Sequence, residues 1–256
     1  MIGLGQPPVR TATLAGGTRL LDHHQLVLIM AGRGTHTIDF VPYGCRPGTV
    51  LWARAGQAVR PGGQPGLDAV VVAVDASDLP VVPDWLADPF GPVCWQLAGE
   101  DEDAVIDGVS QLVVDARRHG DATDLLRHQI AVLVLRLALV PPAGPPPGDG
   151  ADLFRRFRGA VESGYADCRQ VTAYAETLGC SVRTLTRACL AATGRGAKQV
   201  LDDRVVLQAK RLLAATDVPV AAIGQRLGFA EPTHFCRLFH RATGHSPGEF
   251  RGRRTS

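Results

Sequence analysis

Ala175-x-x-Leu178-Gly179, then Arg187, then Ala192-Thr193-Gly194; and again Gly224-x-x-Leu227-Gly228, then Arg237, then Ala242-Thr243-Gly244. The first match is offset by 49 residues and the other two by 50. Each copy reads as helix, tight turn, helix. A small residue (Ala175, Gly224) lets two helices cross closely at a steep angle. The apolar residue three positions on packs beneath, and Gly179 and Gly228 supply the backbone angles of the turn. The second helix of each copy is apolar-periodic and carries arginine. Two such units joined by a helix suit the reading of two stretches of one DNA duplex.

Charge is distributed in the same sense. The 256 residues carry a formal net charge of only +2. Residues 151–256 hold 17 Lys and Arg against 9 Asp and Glu, whereas residues 1–150 hold 10 against 16. A basic C-terminal part fits a polyanionic partner, and an acidic N-terminal part does not. The six cysteines (45, 94, 168, 180, 189 and 236) are scattered, with no C-x-x-C and no metal-ligand spacing. They read as small buried hydrophobes in a reducing, cytoplasmic setting. Met1–Arg10 lacks the apolar core of a secretory signal. The longest apolar run, Ile130–Val140, is short and broken by Arg136, so no membrane span is expected.

Upstream, residues 10–75 read as short strands between Gly/Pro turns. Leu26–Met30, His36–Phe40, Thr49–Trp52 and Asp68–Asp75 are the strand-like runs, and Pro42–Gly48 is turn-rich. That spacing predicts a small β-barrel or sandwich. From about Glu100 the period becomes helical, with Val105, Val109, Leu112 and Val113 on one face and a second helix over Leu125–Leu139. These helices would cover the barrel or pair with a second copy. Residues 141–150, rich in Pro and Gly, form a stiff linker. The expected organisation is therefore a β-rich sensor and dimerisation domain over residues 1–140 and an all-α domain over residues 151–256.

The run from Gly228 to Arg251, Gly-Phe-Ala-Glu-Pro-Thr-His-Phe-Cys-Arg-Leu-Phe-His-Arg-Ala-Thr-Gly-His-Ser-Pro-Gly-Glu-Phe-Arg, resembles the signature of AraC/XylS-type transcriptional regulators. Ala209-Lys210-Arg211-Leu212-Leu213 and Ile223-x-x-x-Leu227 fall where that family places them. The resemblance covers about residues 155–251. His23/His24, Gly32-x-Gly34-x-His36-x-Ile38-Asp39-Phe40, Pro47-Gly48 and Gly56-Gln57 more weakly resemble the cupin-type sensor found upstream in many members. The resemblance implies an effector-responsive, sequence-specific DNA binder, a homodimer, with RNA polymerase as a partner if it activates.

The residue chemistry agrees with that implication. A second helix lying in the major groove turns the residues near its N-terminus to the base edges. In the first unit those are Arg183, Thr186 and Arg187; in the second, Glu231, Thr233, Cys236 and Arg237. Arg binds guanine O6 and N7 bidentately, Thr touches a thymine methyl, and Glu accepts from cytosine N4. Capping the helix is the alternative for Glu231, and a salt bridge between helices is the alternative for Arg187 and Arg237. Arg195, Lys198, His240 and Arg241 read as phosphate contacts. In the N-terminal domain His36, Tyr43, Trp52 and Trp95 are candidates to line an effector pocket, with core packing as the alternative. No metal or other cofactor is expected. His36 lacks a second histidine two residues on, and Val59 stands where cupin relatives usually carry histidine, so no three-histidine site can be assembled. Two rival functions remain: a cupin-type enzyme with an accessory DNA-binding domain, and a ligand-independent or redox-responsive DNA binder.

Overall fold

The computed structural model describes residues 9–14, 16–62, 67–75, 79–81, 83–119, 122–141 and 151–253. The linker segment lies outside them except for Pro141, as do the first eight residues of the stretch read for a signal. The chain divides into two units, Met1–Gly144 and Pro145–Ser256.

The N-terminal unit contains β1 (Val9–Thr13), β2 (Arg19–Leu20), β3 (His24–Ala31), β4 (Gly34–Ile38), β5 (Val41–Cys45), β6 (Thr49–Ala53), β7 (Ala58–Pro61), β8 (Asp68–Val74) and β9 (Cys94–Gln96). Its helices are α1 (Asp84–Ala87), α2 (Glu100–Arg118) and α3 (Thr123–Leu139). One sheet runs β1-β8-β3-β6-β9 and the other β2-β7-β4-β5, with antiparallel pairing throughout. The order 1-8-3-6 over 2-7-4-5 is that of an eight-stranded jelly roll, extended at one edge by β9. The two sheets share no strand pair among the described residues, so the unit is a sandwich rather than a closed barrel.

The apolar runs of β3, β6 and β8 follow from burial on both faces. Leu26, Leu28, Val50, Trp52, Val70 and Val72 face one core, which α2 and α3 complete with Val105, Val109, Leu112, Ile130 and Val134. Val27, Ile29, Leu51, Ala53 and Val71 face the other core, shared with Ile38, Cys45 and Val59 of the second sheet.

Two segments differ from the sequence reading. The strand expected over His36–Phe40 stops at Ile38, and the turn-rich Pro42–Gly48 contains a strand, β5. Asp39 (φ 50°) and Phe40 (φ 68°) form a two-residue turn with both residues left-handed, the geometry that matches hairpin twist. The Asp39 carboxylate holds that turn by accepting from the Gln57 amide at 2.6 Å and the Ala58 backbone N–H at 3.0 Å. Neither signal has the Asn-Gly form that marks such turns in sequence.

The C-terminal unit is helical: α4 (Ala151–Gly164), α5 (Val171–Thr177), α6 (Val182–Thr193), α7 (Ala197–Ala215), α8 (Val220–Arg226), α9 (Pro232–Thr243) and α10 (Pro247–Gly252). It has two cores. Phe154, Phe157, Val161, Tyr174, Ala175, Leu185, Cys189 and Leu201 form the first. Val205, Ala209, Leu213, Ile223, Leu227, Phe235 and Phe239 form the second. The connecting helix α7 serves both, its N-terminal half in one and its C-terminal half in the other.

Candidate nucleic-acid interface

The repeat in sequence is a repeat in structure. α5 and α6 form one helix-turn-helix, α8 and α9 the other. The turns run through Gly179 (φ +66°) and Gly228 (φ +76°), angles at which a side chain is strained. Gly224 is buried on α8, and a Cβ there would meet Phe235 of α9 at 3.3 Å, so the small residue is what the crossing requires. The Ala-Thr-Gly repeat ends both second helices in the same way. The Thr193 and Thr243 hydroxyls donate to the Cys189 and Phe239 carbonyls, each at 2.8 Å. Each then accepts from the backbone N–H two residues on, at 3.1 Å from Arg195 and 3.3 Å from His245.

Helix starts are also specified. Ser181 caps α6 by accepting from the Thr184 N–H at 3.1 Å. Ser246 and Glu249 form a reciprocal capping box on α10. Pro232 holds the first position of α9. Glu231 occupies the N-cap position of α9, but its side chain makes no capping bond.

Residues 50 apart on α6 and α9 share an environment. Leu185 and Phe235 are buried, as are Cys189 and Phe239. Arg183 and Thr233 are exposed, as are Arg187 and Arg237, while Thr186 and Cys236 are half-buried at the margin. No ion pair is formed by Arg183, Arg187 or Arg237 among the described residues. Each second helix thus turns one row of polar side chains, with arginine at its centre, to the surface.

Residues 174–253 match the family model described as "Helix-turn-helix domain". Over 245 residues the chain is 28% identical to "HTH-type transcriptional activator RhaS" of Salmonella schwarzengrund (strain CVM19633), covering 90% of this chain and 85% of that protein. The C-terminal unit carries an AraC-type helix-turn-helix domain, and the chain is a DNA-binding transcriptional regulator. Among solved structures, the regulator is similar to ToxT from Vibrio cholerae O395 (12% identity, TM-score 0.49, covering 96% of this chain and 98% of that one). It is also similar to the C-terminal domain of AraT from Geobacillus stearothermophilus (25% identity, TM-score 0.38, covering 41% and 87%).

The cations read as phosphate contacts divide into two groups. His240 is exposed on α9. Arg195 pairs with Asp203, and Lys198 with Asp202. Arg241 reaches the same Asp202 at 3.6 Å. Burial raises the Asp203 carboxyl above its usual range, with Arg195 opposing that shift. Asp202 also accepts from Arg169 at 3.2 Å, in the segment between α4 and α5. A second, part-buried pair, the buried Arg204 of α7 with the half-buried Glu162 of α4, is bidentate at 2.5 and 2.6 Å, and Arg204 stacks on Tyr165 at 3.9 Å. Arg169, Asp202 and the Arg204–Glu162 pair were not singled out from sequence. Lone charged residues at unrelated spacings carry no periodic signal.

The four candidate effector-pocket residues do not converge. His36 and Tyr43 face each other across β4 and β5, and Tyr43 packs on the inter-sheet core. Trp52 and Trp95 lie in the other core, between the five-stranded sheet and the helices. His36 is 2% exposed, and neither ring nitrogen has a hydrogen-bond partner among the described residues. Burial, with help from the Arg19 charge, pushes its imidazole down to about 4. Burial first, then Cys94 and Asp39, raises the Tyr43 phenol. Trp52 instead stacks on His24, ring centroids 5.5 Å apart. Among the described residues no three His, Cys, Asp or Glu side chains form a metal-holding group, and no helix is long and apolar enough to cross a membrane.

Proposed function

We propose that this regulator reads two successive major grooves, one with α6 and one with α9. The observation that carries the reading is the matched pair Arg187 and Arg237, exposed at equivalent positions of two second helices and without an ion pair among the described residues. Arg183, Thr233 and Glu231 extend the base-reading rows. Thr186 and Cys236, half-buried, make edge contacts. Arg195, Lys198, His240 and Arg241 hold the phosphates. The 19-residue α7 is about 28 Å long, near one turn of duplex once helix thickness is added. Arg187→Ala and Arg237→Ala should each cost about 1–3 kcal/mol on a site selected from random DNA, and relax preference at separate positions about one turn apart. Unchanged specificity in both variants would defeat the reading.

Residues 151–256 are the DNA-binding domain in this scheme, residues 1–140 the sensor and dimerisation domain, and residues 141–150 the linker. The jelly-roll order supports a cupin-type sensor. The inward-facing His36 and Tyr43 are its candidate contacts to a small organic effector, and no metal is required. On α3, Leu125, Val132, Leu135 and Leu139 leave 40–84% of their surface exposed. Their spacing of seven, three and four residues makes a heptad-like stripe that supports pairing of two copies. A dimer would present two double-helix readers to two half-sites, raising the effective concentration for the second. The activator name of the RhaS relative supports a cytoplasmic activator that contacts RNA polymerase.

A further inference from the structure

A single connecting helix does not by itself fix how two helix-turn-helix units are rotated about it. In this protein the segment between α4 and α5, residues 165–170, supplies the missing restraint. Tyr165 packs against both cores of the C-terminal unit. The carbonyl oxygen of Ala166 lies 2.2 Å from where a Cβ on Gly228 would stand, so the first unit's connector rests directly on the second unit's turn. Arg169 then spans the two. Its guanidinium lies 3.9 Å from the centroid of Phe229, the residue after that turn, and donates to Asp202 of α7 at 3.2 Å. Lys198 of α7 and Arg241 of α9 reach the same carboxylate, whose side chain is only 14% exposed. Connector, connecting helix and second reading helix therefore meet at one half-buried acid.

We propose that the Ala166–Gly228 contact and the Arg169–Phe229–Asp202 cluster fix the phase between α6 and α9, and so make the base-pair spacing between the two sub-elements a determinant of specificity. Arg169 and Asp202 are positioning residues here; they need touch no base. The inference rests on the two-groove reading above. One inserted base pair moves the second sub-element by about 3.4 Å and rotates it by about 35°. Following it requires the second unit to turn about α7, which the cluster resists. Guanidinium stacking on an aromatic ring combined with a charge-assisted hydrogen bond is directional, so it restrains rotation as well as distance.

The test uses the full chain and the duplex it binds most tightly from a random pool. Kd is measured on that duplex, on versions with one base pair added or removed between the sub-elements, and on versions with base substitutions inside each. The wild type should lose at least about tenfold on either change of spacing. Arg169→Ala and Asp202→Asn should cut that penalty to about threefold or less, leaving the penalties for base substitution as in the wild type. Asp202→Asn is isosteric and keeps the test open if Arg169→Ala fails to fold. Arg169→Lys keeps the charge without the planar stack, and should behave more like Arg169→Ala than like the wild type. Equal loss on every spacing in the variants would mark Arg169 as an ordinary phosphate contact and overturn the proposal. So would a wild type indifferent to spacing. If base substitutions in one sub-element had no effect, the two-groove reading itself would fall; if they mattered while the spacing penalty stayed unchanged in the variants, only the present inference would.

Discussion

Acidification from pH 7 to pH 5 should destabilise the N-terminal unit through His36. In the unfolded chain the imidazole titrates near 6.5, and in the fold burial holds it at about 4. Between those values the unfolded chain binds more protons, so stability is undiminished above about pH 7, falls as pH drops through 6.5, and levels off below about 4. The full gap is worth about 3 kcal/mol. About 2 kcal/mol of it falls between pH 7 and pH 5. Such a loss lowers the midpoint of thermal unfolding by roughly 5–10 °C in a unit of this size. All three tryptophans, Trp52, Trp85 and Trp95, lie in this unit, so their fluorescence reports its unfolding in the full chain. The comparison is with His36→Leu, which removes the titrating group and fills similar space. The wild type should lose about 2 kcal/mol more than the variant over this interval. His24, also pushed down by burial, leaves both proteins a residual slope. If the difference between the two proteins were the same at pH 7 and pH 5, His36 would not be buried and neutral as described.

Further outcomes follow from the packing. Phe235→Ala removes a side chain 1% exposed from the second helix-turn-helix core and should cost about 3–5 kcal/mol in denaturant unfolding of the C-terminal unit; a loss under about 1 kcal/mol would contradict its placement. Glu162→Gln leaves the buried Arg204 without its bidentate partner and should cost about 3 kcal/mol, whereas salt should change the wild-type stability little. Residues 151–256 alone should bind DNA with an affinity that falls steeply with salt, as released counterions require; a folded fragment without salt-sensitive binding would refute the domain assignment. Residues 1–140 should sediment as a dimer at micromolar concentration, and Val132→Glu with Leu135→Glu should make them monomeric; a strictly monomeric wild-type fragment would count against the α3 stripe.

The helical half of this regulator was legible in the sequence because its signals are local. Turn glycines, the cap Ser181, Pro232 at the first position of α9, and apolar residues at three and four positions define each helix within its own stretch of chain. The internal repeat then places Arg187 and Arg237 on matching exposed faces without reference to anything distant. In the β-rich half the same runs of valine and leucine show that β3, β6 and β8 are buried, but not which face meets which core. That depends on pairing between strands far apart in sequence, such as His24 with Val74 and Val50 with Trp95. Side-chain alternation of period two then sends Trp52 to the helices and Leu51 to the second sheet. Tertiary structure alone therefore separated Trp52 and Trp95 from His36 and Tyr43. It alone brought Arg169, Phe229 and Asp202 together, because cation stacking and ion pairing act through space between residues up to 60 positions apart and leave no period in the chain.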